Sequence, residues 1–210
     1  MSVAFPRSRE GTPPAPLDAG VLARCCAQDP MAFRAFVVRY ERMVFALLSR
    51  MLGRGPEVED LAQETFVRAY RAFPDFDLDG PAKPSTWLLT IATRLALDAR
   101  KKKRLDQTPL DETNEGAGGS TPELALERRE LGRAISDAAQ ALPDDQRAAL
   151  LLAEFHGLSI LEIAEALAVP ENTAKTRLFR AREKMREALK SEWSFESHDT
   201  SSRKSPRRTP

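Results

Sequence analysis

Residues 157–189 read GLSILEIAEALAVPENTAKTRLFRAREKMREAL, and this stretch decides the fold. Apolar side chains recur in its first part at helical spacing, which predicts a short helix with one buried stripe. A proline disfavours helical geometry in the residue before it, so Ala168-Val169-Pro170 is predicted to end that helix. The members of the stripe are Ile160, Ile163, Ala164 and Leu167.

The second part predicts a longer and strongly basic helix. Pro170 is expected near its first turn, with Asn172 or Thr173 as the capping residue. At about 100° per residue, one narrow arc of this helix is apolar and faces inward. That arc holds Ala174, Leu178, Ala181, Met185 and Leu189. The opposite arc holds Asn172, Lys175, Thr176, Phe179 and Arg180, flanked by Arg177, Arg182 and Arg186.

This arrangement is typical of a helix-turn-helix whose second helix binds DNA. Arginine can donate two hydrogen bonds to a guanine edge, asparagine can pair with adenine, and flanking cations can contact phosphates. A solvated basic face that closes a helical bundle is the alternative interpretation. An exposed aromatic such as Phe179, in the middle of a charged face, favours a surface that has a partner.

Composition restricts the remaining possibilities. A chain of 210 residues is long enough for two small domains of about 100 residues or fewer each. The net charge of +1 excludes a globally basic nucleic-acid coat, so any basic patch must be local. We expect no membrane span and no signal peptide, because the N-terminus is polar and proline-rich and no long apolar run follows.

Few residues could carry chemistry. Cys25 and Cys26 are adjacent and are interpreted as ordinary thiols, with a redox sensor as the alternative. His156 and His198 lie far apart, and no metal-ligand spacing or glycine-rich phosphate loop is present. We therefore expect no metal, no cofactor and no catalytic residue.

The chain divides into five segments, and the absence of strand patterns predicts an all-α fold. Segments rich in amphipathic helical pattern alternate with segments rich in Pro, Gly, Ser, Thr or acidic residues. The predicted segments are a disordered tail (1–17), a helical domain (18–104), a flexible acidic linker (105–122), a second helical domain (123–190) and a disordered tail (191–210).

The first helical domain has one polar helix face and one basic run. The helix from Pro56 is predicted to bury Val58, Leu61, Ala62, Thr65, Ala69 and Phe73. Its opposite face carries Asp60, Gln63, Glu64, Val67 and Arg71, which could be an ordinary solvated face.

A loop, PDFDLDGPAKPST, leads into a further helix with a predicted buried stripe of Trp87, Leu88, Ile91 and Leu95. Five cations, Arg100 to Arg104, end that helix; this exceeds what a helix dipole needs and favours phosphate binding.

Three motifs in fixed order, DLAQETFVRAYRAF, TWLLTIATRLALDARKKKR and ALPDDQRAALLLAEFHGLSILEIAEALAVPENTAKTRLFRAREKM, resemble those of a bacterial extracytoplasmic-function sigma factor. The resemblance covers roughly residues 18 to 190. It implies two small helical domains, sigma region 2 and sigma region 4, and a promoter-specificity subunit without catalytic residues. The implied partners are core RNA polymerase, through its β′ clamp and β subunits, promoter DNA and an anti-sigma factor. The implied location is the cytoplasm, where an anti-sigma partner could hold the chain at the membrane.

The resemblance also implies roles for particular residues. The polymerase-binding face would be Asp60, Gln63, Glu64, Val67 and Arg71. The −10 element of the promoter would contact Phe76, Asp77, Lys83, Arg94, Arg100, Lys101, Lys102, Lys103 and Arg104. The −35 element would contact Asn172, Thr173, Lys175, Thr176, Arg177, Phe179 and Arg180. The linker acids Asp106, Asp111, Glu112 and Glu115 would mimic nucleic-acid charge inside polymerase.

One residue departs from the family pattern. Many relatives carry Asn where this chain has Arg94, and arginine cannot accept hydrogen bonds, so the recognised −10 base would differ.

A free-standing helix-turn-helix regulator is the alternative function. The DLAQETF helix and the linker argue against it, because a repressor or activator has no use for both.

Overall fold

The computed structural model describes residues 17–53, 55–106 and 132–199, of which residues 191–199 are described as backbone only. Within these ranges every regular element is helical, as the sequence predicted. The elements in chain order are α1 (Ala19–Cys26), α2 (Pro30–Leu52), α3 (Pro56–Ala72), a 3-10 turn (Phe73–Asp75), α4 (Pro84–Asp106), α5 (132–140), α6 (Asp144–Glu154), α7 (Ile160–Ala166) and α8 (Glu171–Asp199).

Local signals set the ends of α2 and α3. The Asp29 carboxylate accepts hydrogen bonds from the backbone N–H groups of Met31 (2.8 Å) and Ala32 (3.3 Å), and so caps α2. Gly53, with φ of 87°, ends α2 in a conformation that side chains rarely adopt. Pro56 opens α3, as predicted, because a proline at the first helical position lacks only an N–H that would be unpaired there.

The core of the first helical unit is aromatic where α2 meets the 3-10 turn and α4. Phe36 and Phe73 are completely buried, with ring centroids 4.9 Å apart in an edge-to-face arrangement. Phe73 also lies 5.1 Å from Trp87, which is half-buried. Packing of this kind holds α4 and the loop before it against α2.

The predicted loop PDFDLDGPAKPST is shorter in the structure. Its first residues close the 3-10 turn, and its last three, Pro84 to Thr86, form the first turn of α4. Pro84 opens α4 for the same reason that Pro56 opens α3. At its other end α4 continues to Asp106, so the first two residues of the predicted linker, Leu105 and Asp106, are helical. Residues 107–131, with the acids Asp111, Glu112 and Glu115, lie outside the described residues.

The second helical unit contains the predicted helix-turn-helix, α7 and α8. Ser159 and Glu162 form a capping box: the Ser159 hydroxyl accepts from the Glu162 N–H, and the Glu162 carboxylate accepts from the Ser159 N–H at 2.8 Å. Ala168 then turns the chain with φ of 51°. The predicted caps of α8 were wrong, because α8 begins at Glu171 and the Pro170 carbonyl accepts from Thr173 (2.9 Å) and Ala174 (3.1 Å).

The C-terminal end of α8 also differs from the prediction. Residues 191–199 were expected to belong to a disordered tail, but α8 continues to Asp199. The segment SEWSFESHD contains no proline or glycine, so nothing in it interrupts the helical hydrogen-bond ladder. Residues 200–210 lie outside the described residues.

The two helical units pack against each other. The C-terminal end of α2 contacts α6, and α4 lies against both α6 and α7. Within the residues that the structure describes, no helix has both the length and the apolar character that crossing a bilayer requires.

Candidate nucleic-acid and protein interfaces

The exposed face of α8 is built as the helical period predicted. Ala174, Leu178 and Ala181 are buried against α6 and α7. On the opposite side five of the seven predicted contact residues are exposed, namely Asn172, Lys175, Thr176, Phe179 and Arg180. Phe179 is 59% exposed, so the aromatic ring lies at the surface among polar and cationic groups. This surface is hereafter the α8 face.

The other two predicted residues lie at the edge of the α8 face. Thr173 is half-buried, and the guanidinium of Arg177 pairs with the carboxylate of Asp145 at 2.8 Å. Arg182, one of the flanking cations, pairs with Glu154 at 2.7 Å. Acidic groups of α6 therefore neutralise two of the cations nearest to the α8 face, while Lys175 and Arg180 remain exposed.

A shallow groove of about 460 Å³ lies beside Phe179, between α7 and α8. Ile160 and Leu178 line it together with Lys175 and Arg182. Such a groove can take an apolar group that is attached to an anionic backbone, which is the chemistry of a thymine methyl on DNA.

The polar face of α3 is exposed where the sequence predicted. Asp60, Gln63, Val67 and Arg71 are exposed, whereas the Glu64 carboxylate pairs with the Arg68 side chain at 2.7 Å. The buried side of α3 carries Val58, Ala62, Thr65, Phe66 and Ala69, of which only Phe66 was not predicted. An apolar Val67 surrounded by charges gives this face the mixed chemistry of a protein-binding surface.

The loop before α4 is held by Phe76 and Asp77. Phe76 packs against Trp87 with ring centroids 4.9 Å apart. The Asp77 carboxylate accepts from the Asp79 N–H at 3.0 Å, and it also lies over Gly80, where a Cβ atom would come within 2.8 Å of it. A side chain at position 80 would force the Asp77 carboxylate to move, so Gly80 and Asp77 together shape the loop. Lys83, just before α4, is exposed.

The predicted −10 cations of α4 are divided between two environments. Lys101 and Lys102 are exposed. Arg94 is also exposed, but its side chain donates to the Glu165 carbonyl at 3.0 Å. Arg100 is half-buried and donates both to the Asp144 carboxylate and to the Met51 carbonyl (2.9 Å). Arg104 is mostly exposed and lies 3.6 Å from Asp144. Thus the cations that the sequence groups together are not equally available to a ligand.

The sequence analysis missed the partners of these cations, and it missed Arg147. Arg147 is completely buried, and its guanidinium donates to the carbonyls of Ala139 (2.9 Å), Leu142 (3.2 Å), Met51 (2.9 Å) and Gln140. Burial lowers the pKa of Arg147 to about 10, which leaves it charged near neutrality. The only sequence signal was an arginine beside the apolar run AALLLA of α6.

A smaller contact joins α4 to α7. The hydroxyl of Thr86, which is almost fully buried, donates to the Glu162 carboxylate at 2.9 Å. Hydrogen bonds from the Ser159 backbone N–H, and then from the side chains of Ser159 and Thr86, lower the pKa of Glu162. The Ser159–Glu162 spacing is a capping-box signature, so the cap itself could have been predicted from the sequence.

The cysteines have the properties of ordinary thiols. Burial is the main reason that the pKa of Cys25 is raised to about 11, and burial also raises the pKa of Cys26. A thiolate is the reactive form of cysteine, so both environments disfavour redox chemistry. Among the described residues, His, Cys, Asp and Glu form no cluster that could hold a metal ion.

Comparison with known proteins matches both helical units. The family model "Sigma-70 region 2" matches residues 36–105, and "Sigma-70, region 4" matches residues 132–185. The chain is 39% identical over 173 residues to the ECF RNA polymerase sigma factor SigW of Bacillus subtilis, covering 77% of this chain and 91% of that protein. It is 35% identical over 182 residues to the RNA polymerase sigma-H factor of Pseudomonas aeruginosa, covering 82% and 93%.

Solved structures show the same fold. CnrH, in complex with the cytosolic domain of CnrY, superposes with a TM-score of 0.60 at 25% identity, covering 83% of this chain and 97% of CnrH. The sigma factor RpoE, in complex with the anti-sigma factor NepR from Bartonella quintana, superposes with a TM-score of 0.59 at 22% identity, covering 75% and 96%. From the two matched regions and the identity to whole relatives, we conclude that the chain belongs to the extracytoplasmic-function sigma factors of the sigma-70 family.

Proposed function

We propose that this sigma factor binds core RNA polymerase and directs it to a specialised set of promoters, with α8 reading the −35 element. The observation that carries this proposal is the α8 face, which exposes Asn172, Lys175, Thr176, Phe179 and Arg180 opposite a buried stripe. Three of these residues lie in the first two turns of α8. In helix-turn-helix proteins the N-terminal residues of the second helix contact base edges in the major groove.

Each group on the α8 face has a chemical role in this proposal. Arg180 can donate two hydrogen bonds to a guanine, and Asn172 can pair with an adenine. Phe179 and the groove beside it would accept a thymine methyl group. Lys175 would contact a phosphate or a base, while Arg177 and Arg182, already paired with acidic residues of α6, would serve at the margin.

The first helical unit supplies the other two contacts. We propose that Asp60, Gln63, Glu64, Val67 and Arg71 on α3 dock on the polymerase β′ clamp, because this face combines charge with an exposed apolar side chain. We further propose that the Phe76–Lys83 loop and α4 hold the opened −10 element. Displacing a base from a duplex costs a few kcal/mol, which contacts to the loop and the binding to polymerase must offset.

The remaining assignments follow from this role. We propose that the chain is not an enzyme, that it works in the cytoplasm, and that an anti-sigma factor regulates it. The anti-sigma factor bound to RpoE in its complex supports the last point by analogy. The two domains are proposed to lie on either side of the linker that begins after α4.

Reconstituted transcription tests the proposal. The purified full chain is mixed with core RNA polymerase, and promoters are selected from random DNA by binding and then by run-off transcription. We expect initiation at a defined two-element promoter only when both components are present, and weak promoter binding by the chain alone. Strong specific binding by the isolated chain, without any effect on initiation, would instead establish a free-standing regulator.

A further inference from the structure

The loop between the 3-10 turn and α4 is fixed at both ends. At its start the Phe76 ring packs against Trp87, and the Phe76 carbonyl accepts a hydrogen bond from the Cys26 thiol at 3.8 Å. At its other end the ring of Pro81 fixes the backbone angle φ. Between these fixed points lie residues 77–80, which are hereafter the loop tip.

The Asp77 carboxylate restrains the loop tip from within. One of its oxygens, Oδ1, accepts a hydrogen bond from the Asp79 N–H at 3.0 Å, and the Gly80 N–H donates to the Asp77 carbonyl at 3.4 Å. The other carboxylate oxygen, Oδ2, lies 2.8 Å from the position that a Cβ atom at Gly80 would occupy. Aspartate commonly forms such turns, because its short side chain reaches the backbone two residues ahead. Both carboxylate oxygens are therefore directed at the loop tip itself.

This internal role explains why an acidic residue lies at this position of a loop that meets DNA. The carboxylate of Asp77 and the phosphates of DNA are both negative, so the charge of Asp77 opposes binding. A hydrogen bond from the Asp79 N–H needs an acceptor oxygen, which a neutral amide also provides. The loop tip therefore requires the acceptor of Asp77 and not its charge.

We propose that Asp77 is a positioning residue for the −10 element: it holds the loop tip in the conformation that meets DNA and does not itself read a base. This inference rests on the proposed role of the Phe76–Lys83 loop at the −10 element. The held tip presents Leu78, which is 42% exposed, and the exposed Asp79. Because the turn is formed before DNA binds, binding avoids the conformational entropy cost of ordering it.

A positioning residue and a base-reading residue have different effects on DNA binding. Loss of the turn weakens binding to every −10 sequence by a similar factor, because the cost of ordering the loop tip does not depend on the base. Loss of a base contact instead weakens binding to the base that was contacted and so changes base preference. Affinity and base preference together therefore distinguish the two roles of Asp77.

Asp77→Ala and Asp77→Asn form a charge-matched pair of variants. Both remove the negative charge, but asparagine keeps an oxygen that can accept from the Asp79 N–H, whereas alanine does not. Gly80→Ala tests the same turn from its other side, because the added Cβ atom must displace the Asp77 carboxylate. In the combination of Asp77→Ala with Gly80→Ala the closest of these contacts are absent, since they involve the carboxylate group.

The affinity of the holoenzyme for DNA is the first measurement. Each full-length variant is combined with core RNA polymerase and titrated with a labelled promoter fragment whose −10 region is held open by mismatches. The fragment carries the −10 sequence from the promoter selection, and fragments with single-base changes give the base preference by fluorescence anisotropy.

We expect the effects of the variants to follow the turn. Asp77→Ala should bind about fivefold more weakly than Asp77→Asn, which is the loss that one hydrogen bond explains, and Gly80→Ala should bind about fivefold more weakly than the wild type. Adding Gly80→Ala to Asp77→Ala should cause little further loss, because both changes disrupt the same interaction. Base preference should be the same in all four variants and the wild type.

NMR of the free chain tests the turn without DNA. Hydrogen bonding moves an amide proton downfield, so the Asp79 amide proton should lie downfield in the wild type and in Asp77→Asn. It should move upfield in Asp77→Ala and in Gly80→Ala. Far-UV circular dichroism verifies that each variant is folded.

Lys83→Ala separates this inference from the proposed function, because Lys83 is an exposed cation of the same loop. If Lys83→Ala weakens binding but Asp77→Ala and Asp77→Asn bind alike, or if Asp77→Asn changes the preferred base, the positioning role is refuted. If Lys83→Ala and Asp77→Ala both leave binding unchanged while the Asp79 amide proton moves as expected, the loop does not hold the −10 element. The proposed function then fails at this loop, and the positioning role fails with it.

Discussion

The guanidinium of Arg147 on α6 donates a hydrogen bond of 2.9 Å to the carbonyl of Met51 at the end of α2, 96 residues earlier in the chain. Arg100 of α4 donates to the same carbonyl, also at 2.9 Å. One main-chain oxygen therefore receives arginines from both helical units. This oxygen is among the last four carbonyls of α2, which have no partner within the helix itself.

Replacing Arg147 should destabilise the protein strongly. We expect Arg147→Met to lower the free energy of unfolding by about 3 kcal/mol, because several buried carbonyls lose a charged donor. Arg147→Lys should lose about 2 kcal/mol, since one ammonium cannot reproduce the planar array of donors. Urea denaturation measures both values. Arg133→Met, at an exposed residue of α5, is the control and should stay within about 0.5 kcal/mol of wild type. Equal stability of Arg147→Met and wild type would contradict the role of Arg147.

Ala168→Gly should stabilise the protein. Ala168 turns the chain between α7 and α8 with φ of 51°, a conformation that is unfavourable for a residue with a Cβ atom. After allowance for the greater freedom of glycine in the unfolded chain, we expect a gain of roughly 0.5 kcal/mol. Thermal unfolding should show a melting temperature above that of wild type. Ala166→Gly, within α7, is the control and should lower it, because glycine is a poor helix former.

Stability should fall in mildly acidic solution because of His156. Burial, and then the nearby charge of Arg50, lowers the pKa of His156 from 6.5 to about 4. The unfolded chain therefore binds the proton more tightly, so the contribution of His156 is fully present above pH 6.5 and is lost as the pH falls toward 4. The loss amounts to roughly 3 kcal/mol at most.

His156→Phe isolates this effect, because phenylalanine has no titrating group. Denaturant unfolding of wild type and variant is compared between pH 7 and pH 5, a window in which the contributions of other groups cancel in the difference. We expect the difference in stability to change with pH in favour of the variant as the pH decreases. Parallel curves would show that His156 titrates normally.

Arg180→Ala should relax the choice of the −35 sequence. If Arg180 contacts a guanine with two hydrogen bonds, its loss reduces discrimination at that base pair by about 1–3 kcal/mol. Competition between promoters with single substitutions measures the discrimination by the holoenzyme. Lys184→Ala, on an exposed part of α8 outside the α8 face, is the control and should leave promoter choice intact. Unchanged preference in Arg180→Ala would remove Arg180 from the recognition surface.

Asp60→Lys should weaken the binding of core RNA polymerase without affecting the fold. Asp60 is exposed on α3 beside Gln63 and Val67, so a reversed charge alters the proposed docking surface alone. We expect at least a tenfold loss of affinity in a binding assay with core enzyme, with an unchanged melting temperature. Glu187→Lys, exposed on α8, makes the same charge change and should bind normally. If both variants bind alike, the docking face lies elsewhere.

The exposed and buried faces of α8 could be predicted because helical faces follow from local spacing. Ala174, Leu178 and Ala181 are buried, and Lys175, Phe179 and Arg180 are exposed, as the 3.6-residue period requires. The capping of α8 was predicted wrongly, because Pro170, Asn172 and Thr173 lie within four residues of chain and are all suitable at a helix start. Only the path of the chain after Ala168 selects among them.

The sequence alone determined the all-α class, the helix-turn-helix and the faces of α3 and α8, because these depend on residues within a few turns of each other. Tertiary structure alone decided which polar side chains of α4 are engaged with the second helical unit. Arg94 meets the Glu165 carbonyl from 71 residues away, and Thr86 meets Glu162 from 76 residues away. The physical reason is that a hydrogen bond between distant segments depends on how two helices pack, and the period of neither helix contains that information.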